Sequence, residues 1–272
     1  MSRPSRNEDV AHCHDLVRKF DPDRLLLAEL APPAQRPALW ALAAFNWEVA
    51  RIPERVSEPM LGAMRRQWWR DAWAEIAAGN PRRHPVVEAL AAAHSATPFD
   101  LGLVERLLEA REAEHDGPPA DLAALQRQAE AIGGSLAQLE ATALGFDNRD
   151  AATHIGTAWS LIGGLRGLPA LLRHGRHSLP LALLAEHRID LNRLNPAAVP
   201  PGFAKMIDVI AQSAEVRLAA TKRLPPVFRG YRLLALLYRE RLRRAGWNPF
   251  DSRVNARTFG RAWQVMQVRM GL

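Results

Sequence analysis

Asp71 and Glu75 stand four residues apart, so on a helix both carboxylates would project from one face, as paired metal-binding carboxylates do. Their neighbours argue for a different role. Arg66 and Arg70, with the indoles of Trp68, Trp69 and Trp73, make this an amphipathic helix on which the two acids serve as ion-pair partners. Glu105, Glu109 and Glu112 form a second acidic row beside Arg106 and Arg111, and read the same way. His12, Cys13 and His14 suggest a metal site, but adjacent helical positions point to different faces, and no second pair lies at ligand spacing. His174 and His177 flank Gly175-Arg176, where they could touch an anion or sit on a solvated helix end. There is no Gly-rich phosphate loop, Gly-x-Ser-x-Gly elbow or His-Glu-x-x-His helix. Motif chemistry alone therefore gives a helical chain with no visible active site.

The elements that must position any site are helices almost throughout, because the apolar spacing follows a period near 3.6. Expected helices cover about Asn7 to Lys19, Ala34 to Ile52 with a stop at Pro53, and Met60 to Gly79 with Ser57 as N-cap and Pro59 in the first turn. Others cover about Pro85 to His94, Phe99 to Glu114, Pro118 to Gly145 and Arg149 to Arg173. A shorter helix and an Asn- and Pro-rich loop fill 179–201. Helices at about Gly202 to Arg223 and Pro226 to Ala245 and a short terminal one complete a single all-α domain spanning 1–272. Two helices carry interior glycines, Gly133-Gly134 in one and Gly163-Gly164 with Gly167 in the next. Each costs about 0.5–1 kcal/mol relative to alanine, so each marks close helix approach or room beside a cavity.

The 272 residues carry a formal charge of +7, mostly on arginine, with lysine only at Lys19, Lys205 and Lys222. The cations are scattered and do not interleave with aromatic residues, so no nucleic-acid partner is expected. Weak attraction to anionic lipid is compatible with the charge. The single cysteine, Cys13, excludes an intrachain disulfide and a thiolate cluster. The start of the chain lacks a signal-peptide core. The best membrane-span candidate, Gly156 to Leu172, is interrupted by Arg166 and Pro169. An Arg-rich, Lys-poor composition points to a bacterial cytoplasm with peripheral contact at the inner membrane, or the matrix side if the chain is eukaryotic.

The segment DPDRLLLAELAPPAQRPALWALAAFNWEVARI, from Asp21 to Ile52, resembles the opening of squalene and phytoene synthases. Downstream, LGAMRRQWWRDAWAEIAAGNPRRHPVVEAL resembles that family's next helix and its His-Pro-Val turn. AEAIGGSLAQLEATALG resembles its small-residue helix, and GRHSLP at Gly175 to Pro180 resembles the element after its second Asp-rich motif. In order and spacing the likeness covers about residues 10 to 255. It implies the all-α isoprenoid-synthase bundle, with two Asp-rich motifs facing each other across a central cavity. Mg²⁺ held there neutralises diphosphate during ionisation, through hard oxygen ligands.

Matched on Ala44-Phe45, the first motif falls on Ala50, Arg51 and Glu54, and only Glu54 keeps a carboxylate. Matched back from Gly175-Arg176, the second falls on Gly167 and Leu171, with neither carboxylate retained. The resemblance thus implies a non-catalytic member with no catalytic residues, no bound metal and no cofactor. Arg166 and Arg176 remain as candidate anion-binding residues. AFNWEVARI…VSEPMLGAMRRQWWRDAW is similar to one branch of the family, the mitochondrial complex I assembly factor 6 group and its bacterial relatives. That branch implies respiratory complex I subunits or assembly intermediates as partners, with an isoprenoid or other apolar ligand in the cavity. The alternative is an active prenyltransferase with Mg²⁺ on rearranged ligands, drawn from Glu48, Glu54, Glu58, Asp71 and Glu75.

Overall fold

A computed structural model describes residues 6–56, 58–114 and 116–256, and no strand occurs among them. The chain begins with α1 (Arg6–Phe20), α2 (Pro22–Ala28), α3 (Arg36–Ala50), α4 (Ile52–Arg55) and α5 (Pro59–Ala77). It continues with α6 (Pro85–Ala96), α7 (Leu101–Ala113), α8 (Leu122–Ala129) and α9 (Ser135–Leu144), the last two joined by a π-helical turn at Glu130–Gly134. Then come α10 (Arg149–Arg173), α11 (Leu181–Glu186), α12 (Pro201–Ala219) and α13 (Pro226–Arg244), with a short 3₁₀ turn at Leu191–Arg193.

Local chemistry sets these boundaries. Asp21, Asp100, Asp121 and Asn148 each accept a backbone N–H two or three residues on, satisfying a donor that the first turn leaves without an intrahelical partner. Gly145 closes α9 with φ of 64°, a left-handed geometry that costs glycine nothing. Ser57, the expected cap of α5, and the expected terminal helix lie outside the described residues; Glu58 is the N-cap of α5.

Three boundaries differ from the sequence expectation. α1 ends at Phe20, and Asp21-Pro22 then opens the short α2, which was not expected, with Asp21 capping and Pro22 in its first turn. α3 likewise ends at Ala50, ahead of Pro53, which sits in the first turn of a short α4 that was not expected. The helix expected from Pro118 to Gly145 starts at Leu122 and is interrupted by the π turn, which holds one residue more than an α turn.

The core is one contiguous cluster that runs from Cys13 to Val254 and includes the fully buried Phe45, Phe203, Phe228 and Tyr238. Burying each such side chain contributes about 1.5–3 kcal/mol. The long α10 lies at its centre, against α9, the π turn, α12 and α13, while α1 packs on α3 and α6. Among the described residues no helix is long and apolar enough to cross a membrane.

Candidate functional site

The glycines of the two marked helices have opposite tasks. Gly133 meets Gly156 of α10 so closely that a Cβ on Gly133 would lie 2.3 Å from the Gly156 carbonyl oxygen, and Gly134 faces Thr153 and Thr157. Gly163 and Gly167 face open space, with nothing within 4 Å of where a Cβ would be. That open space is a cavity of about 720 Å³, a volume typical of small-molecule sites.

Apolar side chains form much of its wall, among them Leu125, Ile132, Leu136, Trp159, Leu165 and Ile210. Polar groups enter from Asn46, Gln128, Ser160 and Ser178. Ala50, Arg51 and Glu54, at the end of α3 and in α4, line it from one side, while Gly167 and Leu171 of α10 line it as well. All five positions matched to the Asp-rich motifs thus face one cavity. Glu54 is not an available carboxylate, since its Oε2 is 2.8 Å from Arg51 Nε. Arg51 also lies over the rings of Trp47 and Phe20, at 5.2 and 5.6 Å.

Arg176 lines the cavity beside His177, whose Nδ1 accepts from the Leu179 N–H at 3.3 Å and whose ring burial holds below its ordinary pKa. Arg166 is not on the wall. Its Nη1 donates to Asp23 Oδ2 at 3.3 Å, its Nε donates to Asn255 at 3.1 Å, and its guanidinium lies over the Tyr238 ring. The Tyr238 hydroxyl donates to the same Asp23 oxygen at 2.8 Å.

At another part of the wall, Arg24 is enclosed by its partners. Its Nη1 donates to Glu140 Oε1 and to the Tyr231 hydroxyl, both at 2.6 Å, and the Tyr231 hydroxyl donates to Glu140 at 3.0 Å. Asp21 Oδ2 lies 3.2 Å from Arg24 Nε. Burial pushes the Glu140 and Asp21 carboxyls above the usual range, with Arg24 opposing it. In this network Arg24 is matched by two carboxylates, while Glu140 Oε2 stays buried without a hydrogen-bond partner.

Several lining residues carry no sequence signal of their own. Arg111 pairs with Glu114 at 3.0 Å and donates to Asn46 at 3.2 Å, bridging α7 to α3 across 65 positions of sequence. Of the carboxylates that rearranged metal ligation would use, Glu54 and Glu58 line the cavity; Glu48, Asp71 and Glu75 do not. Asp71 accepts from Gln67, and Glu75 is clamped by Arg82 at 2.6 Å. Glu48 lies 3.8 Å from His84.

Mg²⁺ needs carboxylate oxygens converging on an octahedron. The five motif positions offer one carboxylate already paired with a guanidinium, and no group of three His, Cys, Asp or Glu side chains among the described residues could hold a metal. The residues present do not fit that ion. His12, Cys13 and His14 diverge: His12 is exposed, Cys13 is fully buried, and His14 meets the edge of Trp40 at 4.9 Å.

The helical fold matches solved structures. A dehydrosqualene synthase superposes with a TM-score of 0.84 at 15% identity, covering 98% of this chain and 96% of that one. The squalene synthase HpnC from Alicyclobacillus acidocaldarius superposes with a TM-score of 0.75 at 19% identity, covering 90% and 96%. At these identities the likeness shows the fold. The squalene/phytoene synthase family model matches residues 17–267. The chain belongs to the squalene/phytoene synthase family.

Within the family it is similar to curated proteins of another kind. NADH dehydrogenase (ubiquinone) complex I, assembly factor 6 from Bos taurus is 31% identical over 183 residues, covering 66% of this chain and 55% of that protein. Its Drosophila melanogaster homolog is 29% identical over 253 residues, covering 87% and 76%. The chain spans about half the length of the mammalian relatives it matches.

Proposed function

We propose that this chain is a non-catalytic squalene/phytoene synthase family member that assists assembly of respiratory complex I at a membrane surface. Its partners are complex I subunits or assembly intermediates, and it works without a metal or cofactor. The bacterial cytoplasm is the proposed compartment, on the inner-membrane side. The cavity is retained for an isoprenoid or other apolar ligand, with Arg176 facing its polar end.

The observation that carries this reading is the Arg51–Glu54 ion pair where the family's first carboxylates would stand, with Gly167 and Leu171 in place of the second. A guanidinium at position 51 repels the divalent ion that prenyl-diphosphate ionisation requires. Similarity to complex I assembly factor 6 supplies the assembly role, since the fold alone specifies none.

Deleting the chain from its host and measuring assembled complex I by native gel and NADH oxidation tests the role. Loss of the assembled complex, restored by the wild-type chain, is expected; full assembly in the deletion strain overturns it. Purified protein given farnesyl diphosphate and Mg²⁺ should release no pyrophosphate, and sustained release would overturn the non-catalytic part.

A further inference from the structure

Six large apolar side chains are exposed among the described residues: Phe20, Met60, Leu61, Met64, Leu181 and Val216. Single exposed hydrophobics are ordinary, and grouping is what carries information. Five of these six are neighbours, in sequence or by contact, of residues that line one cavity. Phe20 stacks on Trp47 at 4.2 Å beneath the guanidinium of the lining Arg51. Met60, Leu61 and Met64 occupy the first turns of α5, directly after the lining Val56 and Glu58, and Met60 and Met64 are 72% and 61% exposed. Leu181 follows the lining Leu179, and its N–H is bonded to the carbonyl of the lining Pro119. Val216, on α12, is separated by six residues from Ile210, the lining residue of that helix.

The charges around this rim are mostly positive. Lys19 lies over the Phe20 ring at 5.0 Å and Arg55 over Trp47 at 5.1 Å, while Arg65 sits beside Met64 and Arg173 ends α10. Two of the acids at the mouth, Glu54 and Glu114, are each paired with a rim arginine, which leaves Glu58.

We infer that this rim is a docking face for an anionic lipid bilayer, with Met60, Leu61 and Met64 entering the headgroup layer and the cavity opening onto the lipid. An amphipathic turn flanked by cations is the chemistry of interfacial binding. Each basic residue brought near an anionic leaflet strengthens binding by about fivefold. An apolar ligand would then pass between bilayer and cavity without entering water. The inference deepens the proposed placement at a membrane surface, and its test does not involve complex I, so the two can fail separately.

Flotation of the full chain with phosphatidylcholine vesicles, with and without phosphatidylglycerol, provides the test. Binding to the phosphatidylglycerol vesicles, weakened by salt, is expected for the wild type and for Val216→Glu. A Met60→Glu/Met64→Glu double variant, with an unchanged circular dichroism spectrum, should bind about tenfold more weakly or worse. No binding by the wild type, equal binding by the double variant, or equal loss in Val216→Glu each overturns it. So does a wild-type dimer that the double variant dissociates, since the face would then belong to a second copy.

Discussion

Gly156 and Gly133 are in backbone contact: a Cβ on Gly156 would fall 2.1 Å from the Gly133 carbonyl oxygen. The contact presses the π turn against α10, and neither backbone can yield without moving its helix. Gly156→Ala should therefore destabilise the protein by more than about 2 kcal/mol. Gly163→Ala, seven residues on and facing open space, should be neutral or stabilising by up to about 1 kcal/mol. Urea denaturation of the two variants distinguishes them, and equal midpoints would defeat the argument.

Glu140 is the main counter-charge to Arg24, and both are almost fully buried. Glu140→Ala leaves that guanidinium buried beside Tyr231 with only Asp21 as an acidic partner, a loss of about 3–5 kcal/mol. Replacing both partners by leucine should recover part of the deficit, because no uncompensated charge remains. A double variant no better than the single one would contradict this.

Acid should weaken the fold through His84. Burial, aided by His12, holds its pKa below the ordinary value of 6.5, and its Nδ1 is buried without a hydrogen-bond partner. Glu48, 3.8 Å away, is pushed up by its own burial, with Arg55 and Arg65 opposing. The folded state favours neutral His84, so its stabilising contribution is complete above about 6.5 and is lost as pH falls through the folded-state pKa. Glu48 acts in the opposite direction, which makes His84→Gln the useful comparison. Denaturation midpoints at about pH 7.5 and 5.5 should fall further for the wild type than for this variant. Identical falls would remove His84 from the account.

Cys13 should be chemically silent in the folded state. It is fully buried, and burial pushes its thiol up to about 12, with Glu48 and Asp9 contributing. At pH 8 about one molecule in ten thousand would carry the thiolate that thiol reagents attack. Labelling should become fast only in denaturant; rapid labelling of native protein would show the α1 packing to be wrong.

Much of this architecture was legible in the sequence because amphipathic spacing and caps such as Asp121 and Asn148 act locally. The positions matched to the Asp-rich motifs were also legible through the family resemblance, and they line one cavity. Reading failed where the outcome depends on contacts between distant elements. Arg166 looked available until Asp23, Tyr238 and Asn255 were brought around it. The Asn46–Arg111 bridge has no local signature. The short helices α2 and α4 were missed because proline signals a stop, although it also suits the first turn of the next helix, as Pro22 and Pro53 do.

The Arg51–Glu54 pair also bears on what building a metal site in this cavity would take. Changing Arg51 alone to aspartate would leave it three residues from Glu54 on a cavity wall, two like charges with no cation between them. An aspartate at position 167 or 171 would add a carboxylate to the cavity that Arg51 also lines. On the metal-free reading proposed above, Arg51 is the residue that any metal site built in this cavity must first replace.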